Sequence, residues 1–401
     1  MWLVLASCGS VAVMASPVGI PFLDHFAALR DPRQAWKVVF PLPEEPLVVL
    51  CGTLAGAEDF VDIRRWARLH LDFLRRFLPF ARGIPNHDTL NDILNDIDAE
   101  LFTACFSEWV TSLCADTSQD GAGPEIVAPE IVAIDGKTSR RIHDKAAGRN
   151  PLHLVSAWAT SQRLVRGQQA CEAKSNEITA IPLPLDRLAL RGAPVTIDSM
   201  GCQTKIAQKV LNREADYLLA VKENWPNLHA EIARAFDDPA TTGLLRHETT
   251  DADHGSVERR RSPGIEVRRH AVSHDVDFLQ TNRFPGLQAI AMVEAEVGRG
   301  DKTTLERRFY LSSLALDATL FAHAVRSHWH IENRLHWVLD VVFHEDLSRL
   351  RSGHGPQNMA TVRHIALSLL PGAKDKHSLK TRRKSAGWNT DYLEAIIRRT
   401  A

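Results

Sequence analysis

Apolar positions change their period partway along this chain, and the change divides it. From Phe22 to about Leu113 they recur every three or four residues: Phe60, Val61, Ile63 and Trp66 lead into Leu69, Leu71, Phe73, Leu74 and Phe77. That is the period of helices with one buried face. Gly83-Ile84-Pro85-Asn86 interrupts the pattern, and Asp88 to Leu101 resumes it behind polar capping residues. Residues 22–116 therefore read as an all-α N-terminal domain. Arg64, Arg65, Arg68, Arg75 and Arg76 lie within it, either as a solvated face or as a track for phosphates. A polar, Gly-containing stretch follows and sets a linker at 117–125.

Beyond the linker the runs shorten and become β-branched. Ile131 to Ile134, Pro194 to Ile197 and Tyr217 to Val221 read as strands buried on both faces. Leu152–Ala159 and Arg163–Ala170 form a hairpin around Thr160-Ser161-Gln162. Helical segments are expected at Glu177–Leu190, Cys202–Arg213 and Pro226–Phe236. Alternation of this kind predicts an α/β domain with a mixed sheet over 126–370, carrying a β-rich insertion at 237–305. A long helical region is expected from Asp317 to Asp346, a second helix from Asn358 to Leu370, and a basic C-terminal tail at 371–401.

Composition narrows this picture only a little. Hydrophobic content of 44%, charged content of 24% and a net charge of −1 are those of an ordinary soluble protein, so any basic footprint is local. The six cysteines have no C-x-x-C pair and the 18 histidines no H-E-x-x-H spacing, which argues against a zinc site or a disulfide framework. Residues 1–21 read as a disordered leader without the charged and apolar regions of a signal peptide. No later stretch is apolar enough to span a bilayer, so a cytoplasmic protein is expected.

The candidate chemistry lies in carboxylates. Asp135 follows one apolar strand and Asp198 another, each beside a glycine-containing turn. Singly, each reads as a turn or cap residue. Together at one sheet edge they repel unless a hard divalent cation lies between them. A third carboxylate, Glu332, borders the buried stripe Ile331, Leu335, Val338 and Val342, with His328, Trp329 and His336 one turn away. It is either a partner to that pair or half of an i,i+4 ion pair with His328 or His336. Asp340 competes for the role, about 80° further round an α-helix.

Three runs carry a resemblance: Ala133-Ile134-Asp135-Gly136-Lys137, Thr196-Ile197-Asp198-Ser199-Met200-Gly201-Cys202-Gln203, and His328 through Val341. With Tyr217–Lys222, Asn224, His344-Glu345-Asp346 and the helical segment Phe60 to Leu90, they resemble the bacterial DDE transposases of the ISAs type, which include the H-repeat-associated proteins. The resemblance spans nearly everything after Phe22. It implies a ribonuclease-H-like core whose metal-binding catalytic triad is Asp135, Asp198 and Glu332, holding two Mg²⁺ or Mn²⁺ ions. It also implies double-stranded DNA as partner, both transposon inverted-repeat ends and target, and a homodimer on that DNA, associated with the nucleoid. Catalytically inactive DNA binding, or a metal-dependent nuclease without strand transfer, are the alternatives. Related enzymes often carry Tyr and Arg before the Glu and Lys after it. Here Val325, His328 and Leu339 stand near those places, so phosphate contacts pass to other residues. Lys137, Arg140, Lys222, Arg259, Arg260, Arg261, Arg326, His328, Arg334, Lys380, Arg382, Arg383 and Lys384 are the candidates.

Overall fold

The computed structural model describes residues 20–116, 130–143, 148, 150–171, 177–239, 241, 243–252, 265–279, 284–299 and 302–398. Residues 1–19 of the expected leader, the 117–125 linker and the Arg259–Arg261 cluster lie outside them.

Nine strands form one mixed sheet: β1 (Val132–Ser139), β2 (Leu152–Ala159), β3 (Leu164–Cys171), β4 (Pro194–Ile197), β5 (Asp216–Val221), β6 (Leu245–Ala252), β7 (Ile265–Ser273), β8 (Ala289–Arg299) and β9 (Lys302–Ser312). Their order is β3-β2-β1-β4-β5-β9-β8-β7-β6. The central β1, β4 and β5 run parallel, and the flanking strands are antiparallel. Alternation along β1 explains why its apolar run has no polar face. Val132 and Ile134 enter a core shared with Leu185, Val195, Ile206 and Leu228, whereas Ala133 faces the opposite way into a core with Trp158, Ile331 and Leu335. On the first face lie the helices Thr204–Asn212 and Pro226–Asp237, together with two short helices, Glu177–Ala180 and Pro182–Arg187. Pro182 opens the second of these, which is why the single helix expected over Glu177–Leu190 is split.

The opposite core is continuous with the N-terminal helices. Phe102, Phe106 and Trp109 from the helix Ala99–Asp116 share it with Val362, Ile365 and Ala366 from the helix Gly355–Leu369. Asn358 ties the two regions by donating from Nδ2 to Leu94 O at 2.8 Å and Ile97 O at 2.9 Å. The helical region 22–116 is thus packed as part of one body.

Two boundaries differ from the sequence expectation. The β-rich segment 237–305 continues the central sheet, because β9 crosses the bound expected at 305, runs on to Ser312 and pairs with β5 through Leu218↔Ser312 to Val221↔Phe309. The basic tail is a pair of helices, Leu379–Trp388 and Thr390–Ile397. Ala386, Leu393, Ile396 and Ile397 are buried in the helical core, which holds this segment in place.

Gly136 also differs. It is not a turn: β1 continues through it, paired with Val155. A Cβ there would lie 2.5 Å from Glu177 Oε1 and 2.6 Å from His153 Nε2, two buried side chains that are themselves 2.6 Å apart. Glycine is needed for close approach, not for a bend. Gly136→Ala is expected to cost about 1–3 kcal/mol by overpacking. Urea denaturation checks this, and the loss shrinks when His153→Ala is added.

Candidate active site

The register of the central strands brings the first two carboxylates together. Parallel pairing aligns Ile134 with Ile197, so the next residues, Asp135 and Asp198, are neighbours at the same edge. Adjacent strands lie about 4.8 Å apart. Asp135 accepts from the Gly136 N–H at 2.8 Å. Beyond the end of β4, Asp198 caps a short 3₁₀ turn, Ser199–Gly201, accepting from Met200 N at 3.0 Å and Gly201 N at 3.4 Å. Gly201 is required there, since a side chain would run into Ile197 and Ile181.

The third carboxylate comes from a helix with a changed pitch. After an α-helical stretch, Ala318–His330, the segment Ile331–His336 is π-helical, and α geometry returns at Trp337–Val341. The Trp337 N–H donates to Glu332 O, five residues back. Such π turns widen one helical turn and recur at functional sites. Here the π turn sets Glu332 beside His336. The His336 Nδ1 lies 3.4 Å from Glu332 Oε2 and 3.6 Å from Asp135 Oδ2. One ligand atom from each of Asp135, Glu332 and His336 falls within 4.8 Å of the others.

Electrostatics favour a cation at this place. Burial pushes the Asp135 carboxyl up to about 8, with the Glu332 and Asp198 carboxylates adding to the rise. Asp198 is raised by burial and by Glu177. Glu332 is lowered, chiefly by its contact with His336. Oxygen donors crowded at this spacing suit a hard divalent ion, and an imidazole among them also suits Mn²⁺. The site opens into a cleft of about 870 Å³ walled by Asp135, Asp198, Glu332, Lys222, His328 and Trp329.

Several residues expected to contact phosphate are occupied elsewhere. Lys137 is half-buried, and its Nζ lies 2.7 Å from Asp340, 3.2 Å from Glu345 and 3.6 Å from Asp346. It clamps the far end of the Glu332 helix to β1, and it gives Asp340 a partner remote from the Asp135 cluster. Arg383 is buried: it donates to Thr53 O and Val342 O and lies over the Phe343 ring at 4.4 Å. Arg382 is held by Asp375 and Leu370 O. His328 is pinned to Thr196 Oγ1 at 2.9 Å, and burial lowers it to about 4, so near neutral pH it is uncharged. Arg334 is half-buried. Arg140, Lys222, Arg326, Lys380 and Lys384 are exposed, but of these only Lys222 lines the cleft. His336 was not anticipated as a ligand. Its position four residues after Glu332 was the available signal, and it reads equally as an ordinary ion pair.

Residues 94–369 match the family described as Transposase DDE domain. The chain belongs to the DDE transposase family. Residues 23–110 match the DDE_Tnp_1-associated region, so the helical portion is also that of a DDE transposase. Similar proteins include the "H repeat-associated putative transposase YhhI" of Escherichia coli K12, 34% identical over 94% of this chain and 97% of that protein. The "Putative transposase YncI" of Escherichia coli O157:H7 is 36% identical over 94% of each chain. A shorter relative from Escherichia coli K12, "Inactive transposase YbfQ", is 40% identical over 18% of this DDE transposase and 87% of its own length. Among solved structures, a piggyBac transposase synaptic complex with hairpin DNA covers 95% of this chain and 77% of its own at 9% identity and a TM-score of 0.40, too loose a likeness to define the fold. No helix among the described residues is long and apolar enough to cross a membrane.

Two expectations follow from the geometry. Lys137→Met leaves Asp340 without this cation and Glu345 with Arg363 at 3.6 Å, and should destabilise the protein by about 3 kcal/mol, read from chemical denaturation. In chelator, the native protein retains the Asp135 proton while the unfolded chain releases it near pH 4. Stability should therefore fall as the pH rises from about 4 to about 8. Asp135→Asn should flatten that part of the profile of melting temperature against pH.

Proposed function

We propose that this DDE transposase cuts DNA at transposon ends and joins the freed ends to target DNA, with Asp135, Asp198 and Glu332 as the catalytic, metal-holding triad. The observation that carries the reading is the convergence of these three carboxylates at one cleft, two from adjacent parallel strands and one from a π turn. The strand order β3-β2-β1-β4-β5, with β1 at the centre and β2 antiparallel to it, supports a ribonuclease-H-like core.

The chemistry asks for an activated oxygen nucleophile and for stabilisation of the oxygen that leaves. Two divalent ions, Mg²⁺ or Mn²⁺, supply both when bound, acting as Lewis acids on the attacking and leaving oxygens. Asp135, which acts on both other acids, would hold the ions together with Asp198 and Glu332. Asp198 keeps its orientation through the Met200 and Gly201 amides. His336 orients Glu332 and is a further donor for an ion of the Mn²⁺ type. His328 is uncharged and held by Thr196, so it lines the cleft without competing for metal-borne charge. Lys222, just past the end of β5, is an exposed cation in the cleft close enough to act on the Asp198 carboxyl, and is assigned to a DNA phosphate. Water as nucleophile gives end cleavage, and the resulting 3′-hydroxyl in its place gives strand transfer. Joining two ends requires two active sites, so a homodimer on paired ends is part of the proposal, as is action in the cytoplasm on the nucleoid.

The test uses DNA carrying the terminal inverted repeats that flank the coding region. Cleavage and strand transfer should depend on Mg²⁺ or Mn²⁺ and be lost by at least about 100-fold in each of Asp135→Asn, Asp198→Asn and Glu332→Gln. Any of the three cleaving like the parent removes that residue from the triad. Binding without cleavage in the parent would instead identify a catalytically inactive derivative, and cleavage without joining a nuclease.

A further inference from the structure

The turn that carries Asp198 is held from outside, by the loop of the neighbouring strand. β4 stops at Ile197, which is aligned with Leu219, whereas β5 runs two residues further to Val221. At the rise of a strand the loop after β5 starts roughly 7 Å beyond the end of β4, level with the turn Ser199–Gly201. The Trp225 N–H donates to Lys222 O at 3.0 Å, which closes Lys222–Trp225 into a tight turn of its own. Two of its side chains reach across. Asn224 donates from Nδ2 to Ser199 O at 2.7 Å, and Trp225 donates from Nε1 to Cys202 O at 2.7 Å.

These two bonds grip the Asp198 turn at both ends. Ser199 is its first residue, and Cys202 follows its last, Gly201. The amides between those points, Met200 and Gly201, are the donors to Asp198 Oδ1. Both act on one oxygen, and Oδ2 meets no donor among the described residues. Within the turn, the Cys202 N–H reaches Ser199 O only at 3.3 Å, so the shorter Asn224 bond is the stronger constraint on that carbonyl. Trp225 is itself anchored, with its ring 5.8 Å from that of Phe284 and packed against the core of Leu228 and Ile232. Asn224 is exposed and lines the cleft beside Lys222.

We propose that Asn224 and Trp225 are positioning residues for divalent-cation binding at Asp198. By fixing Ser199 O and Cys202 O they set the direction of the Met200 and Gly201 N–H groups, and through them the carboxylate. The proposal rests on the metal-holding reading of Asp198 and adds to it the device that aims this ligand. Neither residue touches the ion or the DNA in this role. A carboxylate ligand is itself hydrogen-bonded, and the groups behind it decide how well it is oriented when a cation arrives. Here that support is supplied by a loop distant in sequence, because the three-residue turn is too short to stiffen itself.

The experiment measures Mn²⁺ binding to the full chain without DNA, by loss of the free-ion electron paramagnetic resonance signal. Asn224→Ala and Trp225→Phe should each weaken Mn²⁺ binding roughly tenfold. The Phe variant keeps an aromatic ring against Phe284 and removes only the Nε1 donor. Titrations are run well below the melting temperature of each variant in EDTA, so a loss of affinity belongs to the folded protein. A variant that melts earlier but binds Mn²⁺ like the parent has a structural role only, and overturns the assignment for that residue. If Asn224→Ala binds Mn²⁺ like the parent but weakens binding of inverted-repeat DNA in EDTA, Asn224 is a DNA contact and its assignment is likewise overturned. Failure of the parent to bind Mn²⁺, or parent-like binding by Asp198→Asn, overturns this proposal together with the metal-holding reading of Asp198. Tight binding by the parent, lost in Asp198→Asn and unchanged in both loop variants, overturns the positioning role alone.

Discussion

Everything at this site depends on two carboxylates being forced into neighbouring positions by a parallel strand pair. Once Ile134 is aligned with Ile197, Asp135 and Asp198 have no choice of partner. The paired stretches Val132–Ile134 and Val195–Ile197 are buried on both faces, so slipping the register by one would turn Val132 and Ile134 out of their core. Hydrophobic burial therefore holds in place an electrostatic arrangement that is unfavourable on its own. Burial and the neighbouring carboxylates raise the Asp135 carboxyl, and a cation at this place would offset that cost.

The surroundings keep the arrangement from relaxing. Below the sheet, the buried His153–Glu177 pair fills the space that a side chain at Gly136 would need, and Thr138 receives the other face of His153 at 2.7 Å. On the other side, the Glu332 helix is attached at both ends of its π turn. Ile331 and Leu335 enter the core that Ala133 faces, and Asp340 is tied to Lys137 two residues beyond Asp135. The same strand that carries the central acid thus also anchors the helix that carries the third. Buried charge is costly to assemble, and here it links two elements that hydrophobic packing alone would leave free to slide.

Much of this was legible in the chain. Short β-branched runs ending in Asp located β1 and β4, and a three–four apolar period located the helix bearing Glu332. What stayed hidden has physical reasons. Asp135-Gly136 has the composition of a turn, and only the crowding by His153 and Glu177, residues distant in sequence, makes the glycine an in-strand necessity. With the strand thought to end there, Lys137 read as an exposed phosphate contact, whereas the added strand length carries it to Asp340 and Glu345. The π turn has no compositional signature, so the expected phase of Asp340 relative to Glu332 is that of an unbroken α-helix. Arg382 and Arg383 belong to a run of basic residues that reads as a set of phosphate contacts. Their carbonyl partners, Leu370, Thr53 and Val342, cannot be inferred from local sequence. The continuity of β6–β9 with β5 is likewise a long-range pairing that no local window contains.

The most direct test of the central claim is anomalous diffraction from crystals soaked in Mn²⁺. The account predicts manganese density against the Asp135 carboxylate, bounded by Glu332 and His336 on one side and by Asp198 on the other. Density confined to the Lys137–Asp340 region, or none at Asp135 at saturating Mn²⁺, would contradict it.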